Sequence, residues 1–328
     1  MTPQAFQKKI RLTADLIRQS QKIILACHMN PDGDAIGSML ALGLGLRKLK
    51  KSVLMLCPDK IPERYKTLPG AHRIEQDCHQ IADLAISVDC GSLTQLAKLE
   101  RAFERSKRIV EIDHHLYRTR FGDIQLVDQR VSSVGEIVLL ILDALNIKPD
   151  RPIAECLLIS TLIETSSFSR PEINRATFEF CAKLMRTGLD FQTISRRYYW
   201  QKRLECIHLS GLALSRIKTR AKDQLAWAAI YKEDFEHFKG AAEDVDSVAD
   251  DMMLLANVKV ALFFREMEDN MLRVSLRARE GIDVGYLAAV YGGGGHRDVA
   301  GCRIHNNPKT MERLINQASR LIHNYRLP

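Results

Sequence analysis

The sequence predicts an α/β protein: an amino-terminal doubly wound, mainly parallel sheet, followed by a smaller carboxyl-terminal α/β domain. Three observations carry this. Apolar segments of strand length alternate with segments of helix length through the first half, the pattern of βαβ units with right-handed crossovers. At 328 residues the chain exceeds the usual single core. After about Gly188 the pattern changes, and a polar, basic and aromatic segment precedes a second series of strands.

The elements follow in order. An opening helix spans about 3–20, and Ile23–Cys27 is the first strand. Ile36–Lys50 has helical character despite Gly43 and Gly45, which sit inside an apolar helix rather than after a strand and so read as close-packing positions, not as a dinucleotide fingerprint. Ser52–Cys57, Leu84–Val88 and Ile109–Ile112 are further strands, and Val134–Leu145 and Ile153–Ile163 further helices. The second series has strands at about 225–231, 258–265 and 271–277, with helices near 243–255, 282–290 and 309–323. The expected domains are 1–187 and 206–328, joined by a linker at 188–205, with no internal repeat or low-complexity tract.

Composition limits the function classes. Hydrophobic residues at 46% and charged residues at 27% describe a soluble globular protein, and the apolar stretches are too short to cross a bilayer. Lys8, Lys9 and Arg11 precede no apolar signal region, so a cytoplasmic protein without a membrane partner is expected. The eight cysteines form no C-x-x-C pair, which argues against a zinc ribbon or disulfide framework. A net charge of +8 suits an anionic substrate without requiring one.

The chemistry lies at strand ends. Ile23–Cys27 runs into His28-Met29-Asn30-Pro31-Asp32-Gly33-Asp34, Leu84–Val88 into Asp89, and Ile109–Ile112 into Asp113-His114-His115. In an open α/β sheet ligands collect beyond the carboxyl ends of the strands, so these side chains are expected to meet. Carboxylates and imidazoles without a thiolate suit a pair of Mn²⁺-like ions. Asp32 and Asp34 on one tight turn can serve two ions, and Asp89 can bridge them with its two oxygens. Of the adjacent histidines, one can ligate while the other meets a phosphate, and Asp113 can orient a ligand. Isolated His72, His79, His208, His237, His305 and His323 read as ordinary satisfied residues.

A second motif is Gly292-Gly293-Gly294-Gly295-His296, preceded by Arg273-Val274-Ser275-Leu276-Arg277. Four glycines let the backbone approach an anion and aim N–H groups at it, with His296 and Arg277 adding hydrogen bonds or charge. The basic-aromatic segment Arg196–Arg203 reads as a linker helix with one solvated basic face, base stacking being the competing reading.

HMNPDGDAIGS, VDCGS and IDHH resemble motifs I to III of the DHH phosphoesterases, and GGGGHRDVAG after RVSLR resembles the DHHA1 domain; the order and size resemble the NrnA-type branch. The resemblance implies one Mn²⁺ on His28, Asp32 and Asp89, and another on Asp34, Asp89, His114 and an acid of motif IV. It implies that His115 contacts the scissile phosphate, and that Arg277, Gly292 to Gly295 and His296 hold substrate. The implied activity is hydrolysis of short RNA oligonucleotides or of 3′-phosphoadenosine 5′-phosphate by two-metal-activated water, with a homodimer as the implied assembly.

The chain departs from the family in three places. Glu164-Thr165-Ser166-Ser167-Phe168 replaces D-T-G-x-F, so the motif IV acid is Glu164, with one methylene more. Arg118 stands where an Asn is common and offers a cation to the phosphate, and Val299 replaces a common Ala. A cyclic or linear dinucleotide phosphodiesterase is the nearest alternative activity, and a catalytically weak nucleotide-binding regulator the alternative class.

Overall fold

The structure is a computed structural model and describes residues 3–78, 80–170, 173–279 and 281–324; His79 lies outside them. The chain divides between Gln201 and Lys202 into two compact units.

The first unit contains α1 (Pro3–Gln19), β1 (Lys22–Cys27), α2 (Gly33–Lys48), β2 (Ser52–Leu56), β3 (Ile74–Glu75), β4 (Leu84–Val88), α3 (Glu100–Glu104), β5 (Ile109–Asp113), β6 (Ile124–Val127), α4 (Val134–Ala144), α5 (Arg151–Glu164), α6 (Arg175–Met185) and α7 (Phe191–Ser195). Its six strands run parallel in the order β3-β2-β1-β4-β5-β6. Strand order therefore reverses between β1 and β4, the switch point at which such sheets open a crevice. β4 is buried along its whole length, as a central parallel strand covered on both faces must be.

One core packs α1, α2, α4 and α5 on one side of the sheet, and a second, including Leu96, Leu99 and Phe103, lies on the other. Gly43 and Gly45 do serve close packing. A Cβ at Gly43 would meet Met55 Sδ at 2.3 Å, and one at Gly45 would meet Leu142 Cδ2 at 2.4 Å.

The second unit contains α8 (Leu204–Ser215), β7 (Lys218–Arg220), β8 (Leu225–Ile230), α9 (Lys232–Phe238), α10 (Val248–Met252), β9 (Val260–Glu266), β10 (Met271–Ala278), α11 (Val284–Val290), β11 (Gly294–Gly295), β12 (Val299–His305) and α12 (Pro308–Asn324). Its mixed sheet has the order β11-β12-β10-β9-β8-β7, parallel only between β8 and β9. Leu272, Val274 and Leu276 of β10 face one core with Leu314 and Ala318 of α12, and Ala261 and Phe263 of β9 face another with α8 and α10.

One expectation needs correction here, and one element was not foreseen. The helix expected over 243–255 is broken into a 3-10 turn at Ala242–Val245 and the short α10. Asp244 fixes that break, its carboxylate accepting from Ala241 N at 2.7 Å and from Arg203 Nη2 at 2.6 Å, bonds that compete with a continuous helix. The segment after the glycine run is a full strand, β12, to which the sequence reading assigned no element. Among the described residues no helix is long and apolar enough to cross a membrane.

Candidate metal centre and active site

β1, β4 and β5 are neighbours, and their carboxyl ends bring the strand-terminal acids and histidines together. Asp89 follows β4 with φ +60°, a left-handed conformation uncommon for a residue other than glycine and typical of functional positions. Asp32 caps α2, its Oδ1 accepting from Asp34 N at 2.9 Å and Ala35 N at 3.0 Å. The same turn that starts the helix thus aims Asp32 and Asp34 at the crevice.

Three donor groups form around one carboxylate: His28, Asp32 and Asp89; Asp34, Asp89 and His114; and Asp89, Asp113 and His115, each group lying within 4.8 Å. His28 Nε2 is 3.6 Å from Asp89 Oδ2, and His114 Nε2 is 3.7 Å from both Asp89 Oδ1 and Asp34 Oδ2. These separations are too long for hydrogen bonds and leave room for a cation whose ligand bonds are about 2.1 Å. Asp89 Oδ1 is buried and accepts no hydrogen bond among the described residues, an arrangement that costs free energy unless a cation satisfies it. The donor set therefore fits divalent metal ions.

Hydrogen bonds set the tautomers. His28 Nδ1 lies 2.8 Å from Met29 O, and because a carbonyl only accepts, Nδ1 carries the proton and Nε2 is left as the ligand atom. His115 Nδ1 is 2.7 Å from Asp113 Oδ1, which also accepts from His114 N at 2.8 Å and His115 N at 3.3 Å. Asp113 thus orients the His115 ring and anchors the His114 backbone.

Burial by itself would raise the Asp89 carboxyl, but the surrounding His28, His115 and His114 hold it well below the usual range. Asp113 is also held down, since His115 outweighs its burial. Burial would lower His28 and His115, yet Asp89 and Asp32 bring the first up to about 9, and Asp113 and Asp89 bring the second up to about 10. His114 is lowered by burial. Asp34 is pushed up by burial and by Asp89, Glu164 and Asp32. Burial followed by Asp32 pushes Glu164 up to about 8. A site that must crowd so many acids is one that positive ions would relieve.

Glu164, the last residue of α5, has Oε1 3.8 Å from His114 Nε2 but belongs to none of the three tight groups. After it Ser166, Ser167 and Phe168 all have positive φ (47°, 56° and 64°). The related motif has glycine at the Ser166 position, which explains why such a turn can exist and why it is strained here.

Arg118, expected to offer a cation to the phosphate, is already paired within the first unit. It is paired with the fully buried Glu111, its Nε lies 3.5 Å from Asp113 Oδ2, and its side chain is 11% exposed. Glu111 was missed by sequence reasoning, although a glutamate in the middle of Ile109-Val110-Glu111-Ile112 was a visible signal of a buried partner. Missed too were Ser38 and Ser160, whose hydroxyls donate to Asp34 Oδ1 at 2.9 and 2.7 Å while Val134 N donates to Oδ2 at 2.9 Å.

In the second unit, Arg277 spends its donors internally. Nε and Nη2 bind Asp250 at 2.6 and 3.0 Å, and Nη1 binds Leu276 O at 3.1 Å. The glycine run also differs from expectation. Gly292 and Gly293 donate to Ala289 O and Ala288 O, and His296 N donates to Val299 O, so these amides are not aimed at an anion. What the glycines supply is close approach: a Cβ at Gly293 would lie 2.1 Å from Gly301 O, Gly292 has φ +72°, and Gly294 and Gly295 pair with Gly301 and Ala300 as β11.

Comparison with known proteins agrees with this architecture. Residues 22–161 match the DHH family, N-terminal domain, and residues 222–324 match the DHHA1 domain. The chain is similar to the bifunctional oligoribonuclease and PAP phosphatase NrnA of Thermus thermophilus, with 26% identity over 91% of this chain and 89% of the relative. It is similar to the protein of the same name from Bacillus subtilis, with 25% identity over 87% and 90%. An exopolyphosphatase-related protein from Bacteroides fragilis has a similar structure, with TM-score 0.88, 25% identity, and 97% and 98% of the two chains covered. The domains and the relatives are thus those of a phosphoric ester hydrolase. The chain belongs to the DHH family, in the two-domain form that carries DHHA1.

Proposed function

We propose that the protein is a manganese-dependent phosphoesterase that hydrolyses short RNA oligonucleotides and 3′-phosphoadenosine 5′-phosphate in the cytoplasm. The observation that carries this reading is the sharing of Asp89 among three donor groups at the switch point of the sheet. The names of the Thermus and Bacillus relatives support the substrate class.

In this reading residues 1–187 carry the chemistry, 188–205 link, and 206–328 bind substrate. His28, Asp32 and Asp89 hold one ion, and Asp34, Asp89, His114 and Glu164 the other. When bound, such a pair supplies Lewis acidity and lowers the pKa of a water that attacks phosphorus. The protein's own groups do the rest. Asp113 keeps His115 Nδ1 protonated and the ring fixed, so His115 reaches the phosphate as a charged donor and delivers a proton to the departing ribose oxygen. Water and a phosphodiester become a phosphomonoester and an alcohol. His296 and the close approach allowed at Gly292–Gly295 serve the substrate, and Arg277 does so only by giving up part of its Asp250 pairing.

The test is turnover of an RNA trinucleotide, 3′-phosphoadenosine 5′-phosphate and a linear diadenylate with and without Mn²⁺. Metal-dependent cleavage of the first two is expected; cleavage of the diadenylate alone would favour the dinucleotide phosphodiesterase. A second reading, a nucleotide-binding regulator with weak catalysis, draws on one observation: Glu164 stands outside the tight donor groups. Tight nucleotide binding without turnover would favour it.

A further inference from the structure

Three arginines stand side by side across the second sheet. In the antiparallel register Arg273 of β10 is directly opposite Arg265 of β9 and Arg303 of β12. Residues directly opposite have Cα atoms about 4.5–5.5 Å apart and project from the same face. The alternating neighbours Leu272, Val274, Cys302, Ile304 and Phe264 are core residues on the other face. Like charges directly opposite destabilise a sheet, and here the charges outnumber their compensation. Arg265 donates from Nη1 to Ala242 O at 2.6 Å and lies 3.6 Å from Asp246. Arg273 and Arg303 make no hydrogen bond or ion pair among the described residues, and Arg303 is exposed. A small concavity lined by Val245, Asp246, Phe263, Arg265, Arg273 and Ser275 opens on the same face.

We propose that the Arg265–Arg273–Arg303 row is a backbone-phosphate subsite for single-stranded RNA. Guanidinium forks favour phosphate, whose oxygens accept their parallel donors. The row continues from the glycine run. Gly294 pairs with Gly301, which is opposite Ser275, and Arg303 follows two residues along β12, about 7 Å further at the usual strand rise. That is a step of the order between successive phosphates of an extended strand. Arg277 is committed to Asp250 and Arg265 to Ala242 O and Asp246, so among the described residues Arg273 and Arg303 are the members of the row with donors to spare, and Arg265 adds charge beside them. The row therefore engages a further phosphate of a chain of three or more nucleotides, and a mononucleotide bisphosphate does not need it. This inference rests on the RNA reading of the preceding subsection.

The test uses the full chain with Arg303→Ala and the charge reversal Arg303→Glu, both at an exposed position, with Arg303→Lys as the conservative control. Binding of a labelled RNA trinucleotide and pentanucleotide is measured against salt, alongside hydrolysis of both and of 3′-phosphoadenosine 5′-phosphate. Loss of a charge-assisted phosphate contact should weaken RNA binding roughly tenfold in Arg303→Ala, and more in Arg303→Glu, with partial recovery in Arg303→Lys. The slope of log affinity against log salt should fall by about 0.7. Hydrolysis of 3′-phosphoadenosine 5′-phosphate should be unchanged. RNA affinity and salt slope that do not respond would overturn the proposal, as would an equal effect on both ligands, which marks a general field rather than a subsite. Wild-type protein that hydrolyses neither substrate class would instead overturn the preceding reading.

Discussion

Glu164 Oε1 lies 3.8 Å from His114 Nε2. The acid therefore approaches the donor group of Asp34, Asp89 and His114 from the end of α5, yet it stands outside the 4.8 Å cluster. A carboxylate so placed completes an ion site only after a small shift.

This predicts the effect of shortening it. Glu164→Asp should retain two bound Mn²⁺ per chain, whereas Glu164→Ala should weaken one of the two sites by roughly 10–100-fold, the usual cost of losing a metal-site carboxylate partner. Metal content after dialysis, with calorimetric titration, checks this. Two unchanged sites in Glu164→Ala would remove Glu164 from the ligand set.

The turn after Glu164 makes a separate prediction about stability. Ser166 has φ +47°, and a left-handed residue other than glycine costs roughly 1–2 kcal/mol. Ser166→Gly should therefore stabilise the fold by about 1 kcal/mol, partly offset by the greater freedom of glycine in the unfolded chain. Denaturant unfolding in metal-free buffer reads the difference, and a destabilised variant would show that the Ser166 side chain outweighs the strain.

Arg118 and Glu111 form a buried pair, and removing one partner of such a pair costs about 3–5 kcal/mol because the other is left uncompensated. Arg118→Met should lower stability by roughly that amount, and Glu111→Gln in the same chain should recover part of it. If Arg118→Met instead kept full stability and only raised KM, Arg118 would be a phosphate contact after all.

The pH dependence follows from three groups. In the folded, metal-free chain His28 titrates at about 9 and His115 at about 10, above the ordinary 6.5, and Glu164 at about 8, above 4.5. Between pH 7 and 9 the folded state therefore holds more protons than the unfolded state. The stability contributed by His28 and His115 is fully present below about pH 6.5 and is lost as pH rises through 9 to 10, while the Glu164 penalty grows up to about 8. Melting of metal-free protein should fall from pH 7 to 9. Binding Mn²⁺ requires His28 and Glu164 to release protons, so affinity should rise over the same range. Titrations in buffers of different ionisation enthalpy measure the protons released; affinity independent of pH would contradict the assignment.

What was legible in the sequence was what strand ends make legible. β1, β4 and β5 are apolar runs bounded by ligating residues, and that pattern alone puts His28, Asp89 and Asp113-His114-His115 at the carboxyl ends of the strands, which are neighbours in the sheet. The supporting contacts were not legible, because they come from distant segments: Ser38 and Ser160 are 122 residues apart and meet at Asp34. The partners of Arg118 and Arg277 were hidden for a related reason. Sequence shows a cation near a motif but not the buried Glu111 or the nearby Asp250 that claims it. β12 was hidden behind its glycines, since a Gly-rich run suggests a loop while the alternation of Ala300, Cys302 and Ile304 with exposed Arg303 and His305 specifies a strand.

The central claim is that Asp89 bridges two ions. The most direct measurement is Mn²⁺ stoichiometry of Asp89→Ala beside wild type, with circular dichroism to confirm folding and RNA dinucleotide turnover as the functional readout. Wild type should hold two ions and turn over, and the folded variant should lose high-affinity binding at both sites together with activity. A folded Asp89→Ala that keeps two ions or substantial turnover would contradict the bridge.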